Sequence, residues 1–129
     1  MPQSHVIPVL AYPDVSKAID WLCATFGFTL RWRVANHRAQ LNVGEGCVAL
    51  TKSSDSERDG HSIMVRVQDV NSHHDRSSQL GAAILQAPAD FPYGERQYTV
   101  ADIAGHVWTF SQTIANVAPE DWGGVSADL

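Results

Sequence analysis

The sequence lacks any apolar segment long enough to cross a membrane. Its longest mostly apolar runs, Val6 to Leu10 and Ile114 to Pro119, fall far short of the ~18 residues that a bilayer-spanning helix needs. The N-terminus also lacks the basic-then-apolar leader of an exported protein. We therefore expect a soluble, cytoplasmic protein with no membrane partner.

Cysteine and clustered positive charge are also scarce. Cys23 and Cys47 are the two cysteines, too few for a disulfide framework or a zinc cluster, so we expect free thiols in a reducing compartment. The 14 Asp and Glu exceed the 9 Lys and Arg, the formal charge is -5, and no basic block occurs. Nucleic acid is therefore not an expected partner, and a cationic or neutral small ligand suits the charge better.

Motifs for nucleotide binding and nucleophilic catalysis are absent too. The sequence contains no glycine-rich phosphate loop, no Walker pattern and no Gly-x-Ser-x-Gly elbow. No histidine is placed by sequence to activate Cys47, so we interpret this thiol as a packed side chain. No cofactor is predicted from these patterns.

The sequence does contain enough apolar material for one core, since 44% of its 129 residues are hydrophobic. In the first half, an N-cap at Asp14 or Ser16 and apolar residues at helical spacing predict a helix that ends at Gly27. β-like runs flank this helix. They are residues 6–11, 29–34, 39–43 and 47–51.

The second half repeats this pattern. A strand is predicted at residues 62–67, the cap at Asp69 matches that at Asp14, and a polar helix over 71–79 ends near Gly81. Three more strands follow, at residues 83–86, 96–101 and 107–111. We predict a single domain spanning 1–129, with module one at 1–52, an exposed linker at 53–60, module two at 61–115 and an irregular tail at 116–129. Trp122 is expected to anchor this tail on the surface of the domain or on a partner chain.

Two stretches of sequence carry a family resemblance. They are DVSKAIDWL with FGF at residues 14–22 and 26–28, and YGER with DIAGH at residues 93–96 and 102–106, continuing to Phe110. Together with the βαβββ repeat, they resemble the vicinal oxygen chelate superfamily, which includes glyoxalase I, extradiol dioxygenases, fosfomycin-inactivating enzymes and bleomycin resistance proteins. Ile103 departs from the proline common in that family. The resemblance implies an α+β fold of two tandem βαβββ modules forming a cleft, and a homodimer in which modules of two chains form each cleft.

The resemblance also implies four positions that aim side chains at a divalent metal in the superfamily enzymes. Carried over to this sequence they are Ile7, Ala49, Ser62 and Thr109. Two hydrocarbon side chains and two hydroxyls cannot replace the imidazole and carboxylate donors of a catalytic metal. The sequence is therefore closest to the metal-free, bleomycin-resistance-like branch. The alternative is a displaced metal site drawn from His5, His61, His106 and Glu45.

Strand alternation from these four positions predicts most of the lining of the cleft, and Trp32 and Tyr98 are added as aromatic candidates for contact with a planar ligand. The predicted ligand-binding residues are Ile7, Val9, Trp32, Cys47, Ala49, Thr51, Ser62, Met64, Arg66, Tyr98, Val107, Thr109 and Ser111. Trp32, with Leu30 and Val34, is either core or a ring that stacks on a ligand. Arg66 needs either an internal carboxylate or a ligand anion as its partner.

The remaining histidines are interpreted as structural or solvated. His73 and His74 point about 100° apart on a polar helix and are expected in solvent, as is His37 in a turn. His106 is interpreted as a structural residue of the hairpin, and the alternative is a role at the rim of the cleft. The leading functional hypothesis is a homodimer that sequesters an aromatic or peptide-like compound without a metal. The alternatives are a divalent-metal lyase, isomerase or dioxygenase, and an interaction module with a filled cleft.

Overall fold

Two four-stranded sheets, each covered on one face by a helix, make up this computed structural model, which describes residues 7–52 and 62–124. The first module contains β1 (Val9–Tyr12), α1 (Val15–Phe26), β2 (Thr29–Val34), β3 (Arg38–Val43) and β4 (Gly46–Lys52). The second contains β5 (Ile63–Arg66), α2 (Val70–Gln79), β6 (Ala83–Phe91), β7 (Glu95–Ala101) and β8 (Val107–Thr113), and a 3₁₀ helix follows at Pro119–Trp122. The α+β class and the tandem βαβββ order are confirmed.

The two sheets have equivalent strand orders, β1-β4-β3-β2 and β5-β8-β7-β6. In each sheet the first strand runs parallel to the last, with Val9 opposite Ala49 and Met64 opposite Thr109, while the other pairs are antiparallel. Because β1 and β5 stand at one end of these strand orders, both are edge strands. Neither α1 nor α2 is long and apolar enough to cross a bilayer.

The two helices begin with the same cap. Asp14 accepts a hydrogen bond from the amide of Lys17, and Asp69 accepts one from the amide of Ser72, each at 3.1 Å. α1 ends at Gly27 in the left-handed conformation. The predicted caps are therefore confirmed, because a short carboxylate there satisfies amides that have no partner within the helix.

Strand β6 is longer than the predicted run of residues 83–86. It continues to Phe91 as an edge strand, and its register with β7 shifts between Gln86 and Ala89, around Pro88. A proline has no amide to donate, so a sheet accepts it at an edge or a bulge. The predicted strand therefore ended five residues before the observed end of β6.

Gly94 packs closely against the residues that follow β8. Its carbonyl accepts the amides of Ile114 and Ala115, and a Cβ at Gly94 would lie 2.3 Å from the carbonyl oxygen of Ala115. Farther along, the Trp122 ring meets the Tyr93 ring edge-on at 5.5 Å. The predicted anchoring role of Trp122 is confirmed, whereas the predicted linker at 53–60 lies outside the described residues.

Aromatic side chains join the two modules. Phe26, at the end of α1, packs edge-on against Trp108 and Phe110 of β8 with ring centroids 5.6 and 5.0 Å apart. Phe28 lies 5.4 Å from Trp108. All four rings are buried, so the helix-covered faces of both sheets share one apolar core.

The buried carboxylate of Asp102 is a second link between the modules, and it lies at the C-terminal end of β1. One of its oxygens accepts the Tyr12 hydroxyl at 2.6 Å and the Trp108 indole N–H at 3.0 Å. The other oxygen accepts the amides of Ala104 and His106 within the β7–β8 hairpin. Burial and the nearby Asp102 charge raise the pKa of Tyr12 well above its ordinary value, so the phenol stays a donor.

Three more side chains of the second module donate to carbonyl groups of the first. His106 Nε2 donates to Ala11, His73 Nε2 donates to Phe26, and Arg76 Nε donates to Ala24, at 2.7, 3.1 and 3.0 Å. The last two acceptors belong to the final turn of α1, where carbonyls lack partners within the helix. These bonds fix the relative orientation of the modules.

Removing the Asp102 carboxylate should weaken this junction strongly. Asp102→Ala leaves the buried Tyr12 and Trp108 donors without an acceptor, so we expect the free energy of unfolding to fall by ~3 kcal/mol. Tyr12→Phe is the matched control, because it removes one donor and leaves the others paired, and should cost about 1 kcal/mol. Urea denaturation of the three proteins measures the difference. Equal losses in both variants would contradict the assigned role of Asp102.

Candidate functional site

Each sheet has a face that its helix does not cover, which we call its open face. On the first sheet, register places Val9, Ala49, Gln40 and Trp32 in one row across this face. Val9 is 56% exposed and Trp32 is 41% exposed. Of the predicted cleft residues, Val9, Trp32, Cys47, Ala49 and Thr51 therefore share this surface.

Trp32 lies on the open face because β2 contains an irregularity. Leu30 pairs with Leu41 on the helix side, whereas Trp32 pairs with Gln40 on the open side, with a register shift between them. Such a shift changes which face the following residues occupy. The Trp32 ring is therefore not part of the core.

The open face of the second sheet carries the other predicted residues. Met64 pairs with Thr109, and Arg66 pairs with Ser111. Met64 is 64% exposed, Val107 and Thr109 are half-buried, and Ser62 lies exposed just before β5. Ile7 lies half-buried just before β1. The predicted residues thus lie on two open faces that belong to two separate sheets.

A cavity of about 750 Å³ lies at the seam between the modules, beside edge strand β5. Its lining includes Cys47, Met64 and Arg66 from the predicted set, the buried rings of the shared core, His73, and Glu45 from the β3–β4 turn. A volume of this size is in the range of small-molecule sites, which are about 300–1,000 Å³. Among the described residues, the seam between the two modules is therefore not fully packed.

Tyr98 does not line the cleft, and its predicted place there is wrong. Register pairs it with Phe110 on the helix face, while its neighbour Thr99 pairs with Thr109 on the open face. The ring is fully buried, and the hydroxyl contacts Ser77 and His73 of α2. Burial raises the pKa of Tyr98 to about 12, which keeps the hydroxyl protonated.

A chain of hydrogen bonds crosses the open face of the second sheet. The Tyr93 hydroxyl donates to the side-chain oxygen Oε1 of Gln97 at 3.1 Å, and Gln97 Nε2 donates to the Ser111 hydroxyl at 3.1 Å. The Ser111 hydroxyl in turn donates to the Glu95 carboxylate at 2.7 Å. Hydrogen bonds from Ser111 and Thr113, and to a lesser extent the Arg66 charge, hold the pKa of Glu95 below its ordinary value. Because ionised Glu95 can only accept, every donor in the chain points toward it.

Sequence reasoning missed Glu95 and Gln97. Alternation along β7 places Glu95, Gln97 and Thr99 on the open face and Arg96, Tyr98 and Val100 on the other. Extending the parity of Thr109 across the β7–β8 hairpin would have identified them.

Arg66 is exposed, so the expectation that it needs an internal carboxylate or a ligand anion as its partner is wrong. The edge position of β5 leaves its side chain in solvent. Within residues 7–52 and 62–124 no carboxylate lies at ion-pair distance from it. Glu95 is the acid whose ionisation it favours.

The four positions that correspond to metal ligands in the superfamily carry no strong donor. Ala49 and Thr109 lie on the two open faces, and Ile7 and Ser62 precede the edge strands. The Thr109 hydroxyl is hydrogen-bonded to that of Thr99 at 3.1 Å. Over the described part of the chain, His, Cys, Asp and Glu form no group of three that could hold a metal ion.

The displaced metal set is not assembled among the described residues. Glu45 lies in the turn before β4, whereas His106 is bonded to Ala11, whose neighbour Thr51 is at the far end of β4. These two side chains are therefore separated by most of the length of that strand. His5 and His61 lie outside the described residues.

His73 is not a solvated helix residue, and this expectation is wrong. Its ring packs 4.0 Å from Phe110, and Nε2 donates to Phe26 while Nδ1 accepts from Tyr98. Burial, with the Arg76 charge as a smaller cause, lowers the pKa of His73. His37 is exposed in a turn, as predicted, and His106 is a buried hairpin residue.

The architecture and the open faces define a protein of the glyoxalase type. The model of the Glyoxalase/Bleomycin resistance protein/Dioxygenase superfamily matches residues 3–110. The chain belongs to this superfamily. No curated protein matches the sequence.

Solved structures share the fold. TioX from Micromonospora sp. ML1 is 36% identical over 89% of this chain and 100% of its own, with a TM-score of 0.74. A glyoxalase/bleomycin resistance protein/dioxygenase from Alicyclobacillus acidocaldarius is 13% identical over 89% and 95%, with a TM-score of 0.73. The bleomycin-binding protein of Streptomyces verticillus, complexed with copper(II)-bleomycin, is 20% identical over 87% and 98%, with a TM-score of 0.69. The last two show the fold alone.

The lowered pKa of His73 predicts a loss of stability in mild acid. Below pH 6.5 the unfolded chain binds a proton at this histidine while the folded chain resists it, so the free energy of unfolding should fall as the pH falls. His73→Gln should flatten this dependence between pH 5 and 6.5, measured by urea denaturation at each pH. His37→Gln, in an exposed turn, is the control and should leave the dependence unchanged.

The exposure of Arg66 predicts a mild effect of removing its charge. Arg66→Met keeps the aliphatic stem, and we expect the free energy of unfolding to change by less than about 1 kcal/mol, since exposed charges are screened. Urea denaturation without ligand measures the change. A loss of ~3 kcal/mol would instead indicate a buried carboxylate that depends on Arg66.

Proposed function

We propose that this protein binds an aromatic or peptide-like small molecule without a metal, in a cleft formed by two copies of the chain. The side-chain chemistry of the four superfamily metal positions carries the proposal. Ile7 and Ala49 offer only hydrocarbon, and Ser62 and Thr109 offer neutral hydroxyls, which are poor ligands for a catalytic divalent metal.

The open faces support a cleft between two copies. Within one chain the modules join through their helix-covered faces and the Asp102 carboxylate. That junction leaves Val9, Trp32 and Met64 exposed on the outer faces and leaves β1 and β5 as sheet edges. Exposed apolar patches and free edges are typical of interaction sites. A two-fold dimer would place the first sheet of one copy beside the second sheet of the other.

The composition of these faces supports a small organic ligand. Trp32 provides a flat apolar surface, and the second sheet provides hydroxyl, amide and carboxylate groups with fixed directions. Apolar surfaces with a few oriented polar groups are typical of small-molecule sites. The bleomycin-binding protein, whose structure contains copper(II)-bleomycin, shows that this fold can hold a bulky organic ligand.

Thermal unfolding with and without ligands tests the proposal. Metal-free bleomycin or a planar aromatic compound should stabilise the protein, because a ligand at one hundred times its dissociation constant contributes about 2.7 kcal/mol. Zinc, nickel and manganese should not stabilise it. Stabilisation by a metal alone, with stoichiometric metal in protein purified without chelator, would contradict the proposal and favour a metal-dependent enzyme.

Sedimentation analysis tests the dimer in the same samples. Wild type should sediment as a dimer, and Val9→Asp should sediment as a folded monomer, because Val9 is exposed within the chain and a charge there would be buried at the interface. Lys17→Asp, on the outer surface of α1, is the control and should remain dimeric. A monomeric wild type that still binds ligand would place the cleft within one chain.

A further inference from the structure

Three aromatic rings that contact one another lie at the β6–β7 turn, at the same end of the second sheet as the carboxylate of Glu95. We infer that Glu95, with Phe91, Tyr93 and Trp122, forms a recognition site for an organic cation, such as a protonated amine on an aromatic body. The inference rests on the proposed function, since it names the chemistry of the ligand that the cleft takes.

Register and ring contacts place these groups together. Phe91 lies directly opposite Glu95 in the β6–β7 pair, and residues opposite each other project from the same face at about 5 Å. The Phe91 and Tyr93 rings stack in parallel with centroids 5.4 Å apart. Trp122 meets the Tyr93 ring edge-on. Phe91 and Tyr93 are half-buried and Trp122 is exposed, so the rings remain accessible.

The hydrogen-bond chain orients the carboxylate. Tyr93 is bonded to Gln97, Gln97 to Ser111, and Ser111 to Glu95, so the aromatic stack and the carboxylate are parts of one network. Gln97 and Ser111 are buried, which holds their geometry. The bond from Ser111, together with one from Thr113, lowers the pKa of Glu95 and favours its ionised form. Little reorganisation is then needed when a cation arrives.

A fixed carboxylate near aromatic rings favours a cation over an anion or a neutral group. The carboxylate attracts the charge directly, and the negative faces of the rings add a cation–π contribution. Arg66 is the competing cation for Glu95. Because its side chain is exposed on an edge strand, it can turn toward water when a ligand cation binds.

The experiment compares 1-naphthylmethylamine with 1-naphthalenemethanol by isothermal titration calorimetry at pH 7. The two probes share a ring system and differ in charge. Wild type should bind the amine about tenfold more tightly than the alcohol. Glu95→Gln should remove this preference and leave alcohol binding within about twofold. Arg66→Met should tighten amine binding by a few-fold, because it removes the competing cation.

Two further variants control for folding and for general charge. Tyr93→Leu, which removes one ring and keeps the carboxylate, should weaken the amine more than the alcohol. Asp20→Asn removes an exposed carboxylate on α1 and should leave both affinities unchanged. Tyr93→Leu also tests the site if Glu95→Gln does not fold.

The outcomes separate this inference from the proposed function. Equal binding of both probes to wild type, or a preference for the amine that survives Glu95→Gln, would overturn the cation site and leave the small-molecule function in place. A weaker amine affinity in Arg66→Met would also overturn it, since Arg66 would then be assisting the ligand. Binding of neither probe, together with no stabilisation by any compound in the thermal screen, would overturn both.

Discussion

The buried carboxylate of Asp102 is the constraint on which the arrangement of the two modules depends. It accepts four hydrogen bonds, from Tyr12 in the first module and from Trp108, Ala104 and His106 in the second. A carboxylate in that position is stable only when its oxygens are satisfied. The hairpin that carries Asp102 must therefore lie against the end of β1, and the histidine and arginine donors complete the junction with carbonyls of Ala11, Phe26 and Ala24.

This junction determines which faces of the two sheets stay accessible. Because the modules meet through their helix-covered faces, the aromatic core forms between them and the opposite faces of both sheets remain free. The chain then has two open faces and a seam cavity. To become part of a cleft, each open face needs a second surface opposite it. Joining the modules through their helix sides explains why large apolar residues such as Val9 and Met64 are exposed within the chain.

The open faces differ in chemistry although the modules share one topology. The first sheet presents Trp32 and small residues, whereas the second presents a directed hydrogen-bond chain that ends on Glu95. The directions follow from one fact, since an ionised carboxylate accepts hydrogen bonds and never donates them. The superfamily fold thus fixes the positions of the strands, and a few side chains on the open faces give each face its own chemistry.

The sequence by itself determined the order of strands and helices, both helix caps, the superfamily and the chemistry at the four metal positions. These features depend on local spacing, such as the carboxylates that cap α1 and α2, or on residue identity, such as alanine and threonine where a ligand would stand. Alternation along β4 correctly assigned Cys47 and Ala49 to the open face and Val48 and Leu50 to the helix-covered face, because alternation is a local property of an extended strand.

Tertiary structure alone decided the rest. The open position of Trp32 depends on a register shift in β2, and the burial of His73 depends on a carbonyl 47 residues away in the chain. The exposure of Arg66 depends on β5 being an edge strand, and the place of Tyr98 depends on its partner across β8. In each case the deciding interaction joins residues that are distant in sequence, and local patterns hold no information about such pairs.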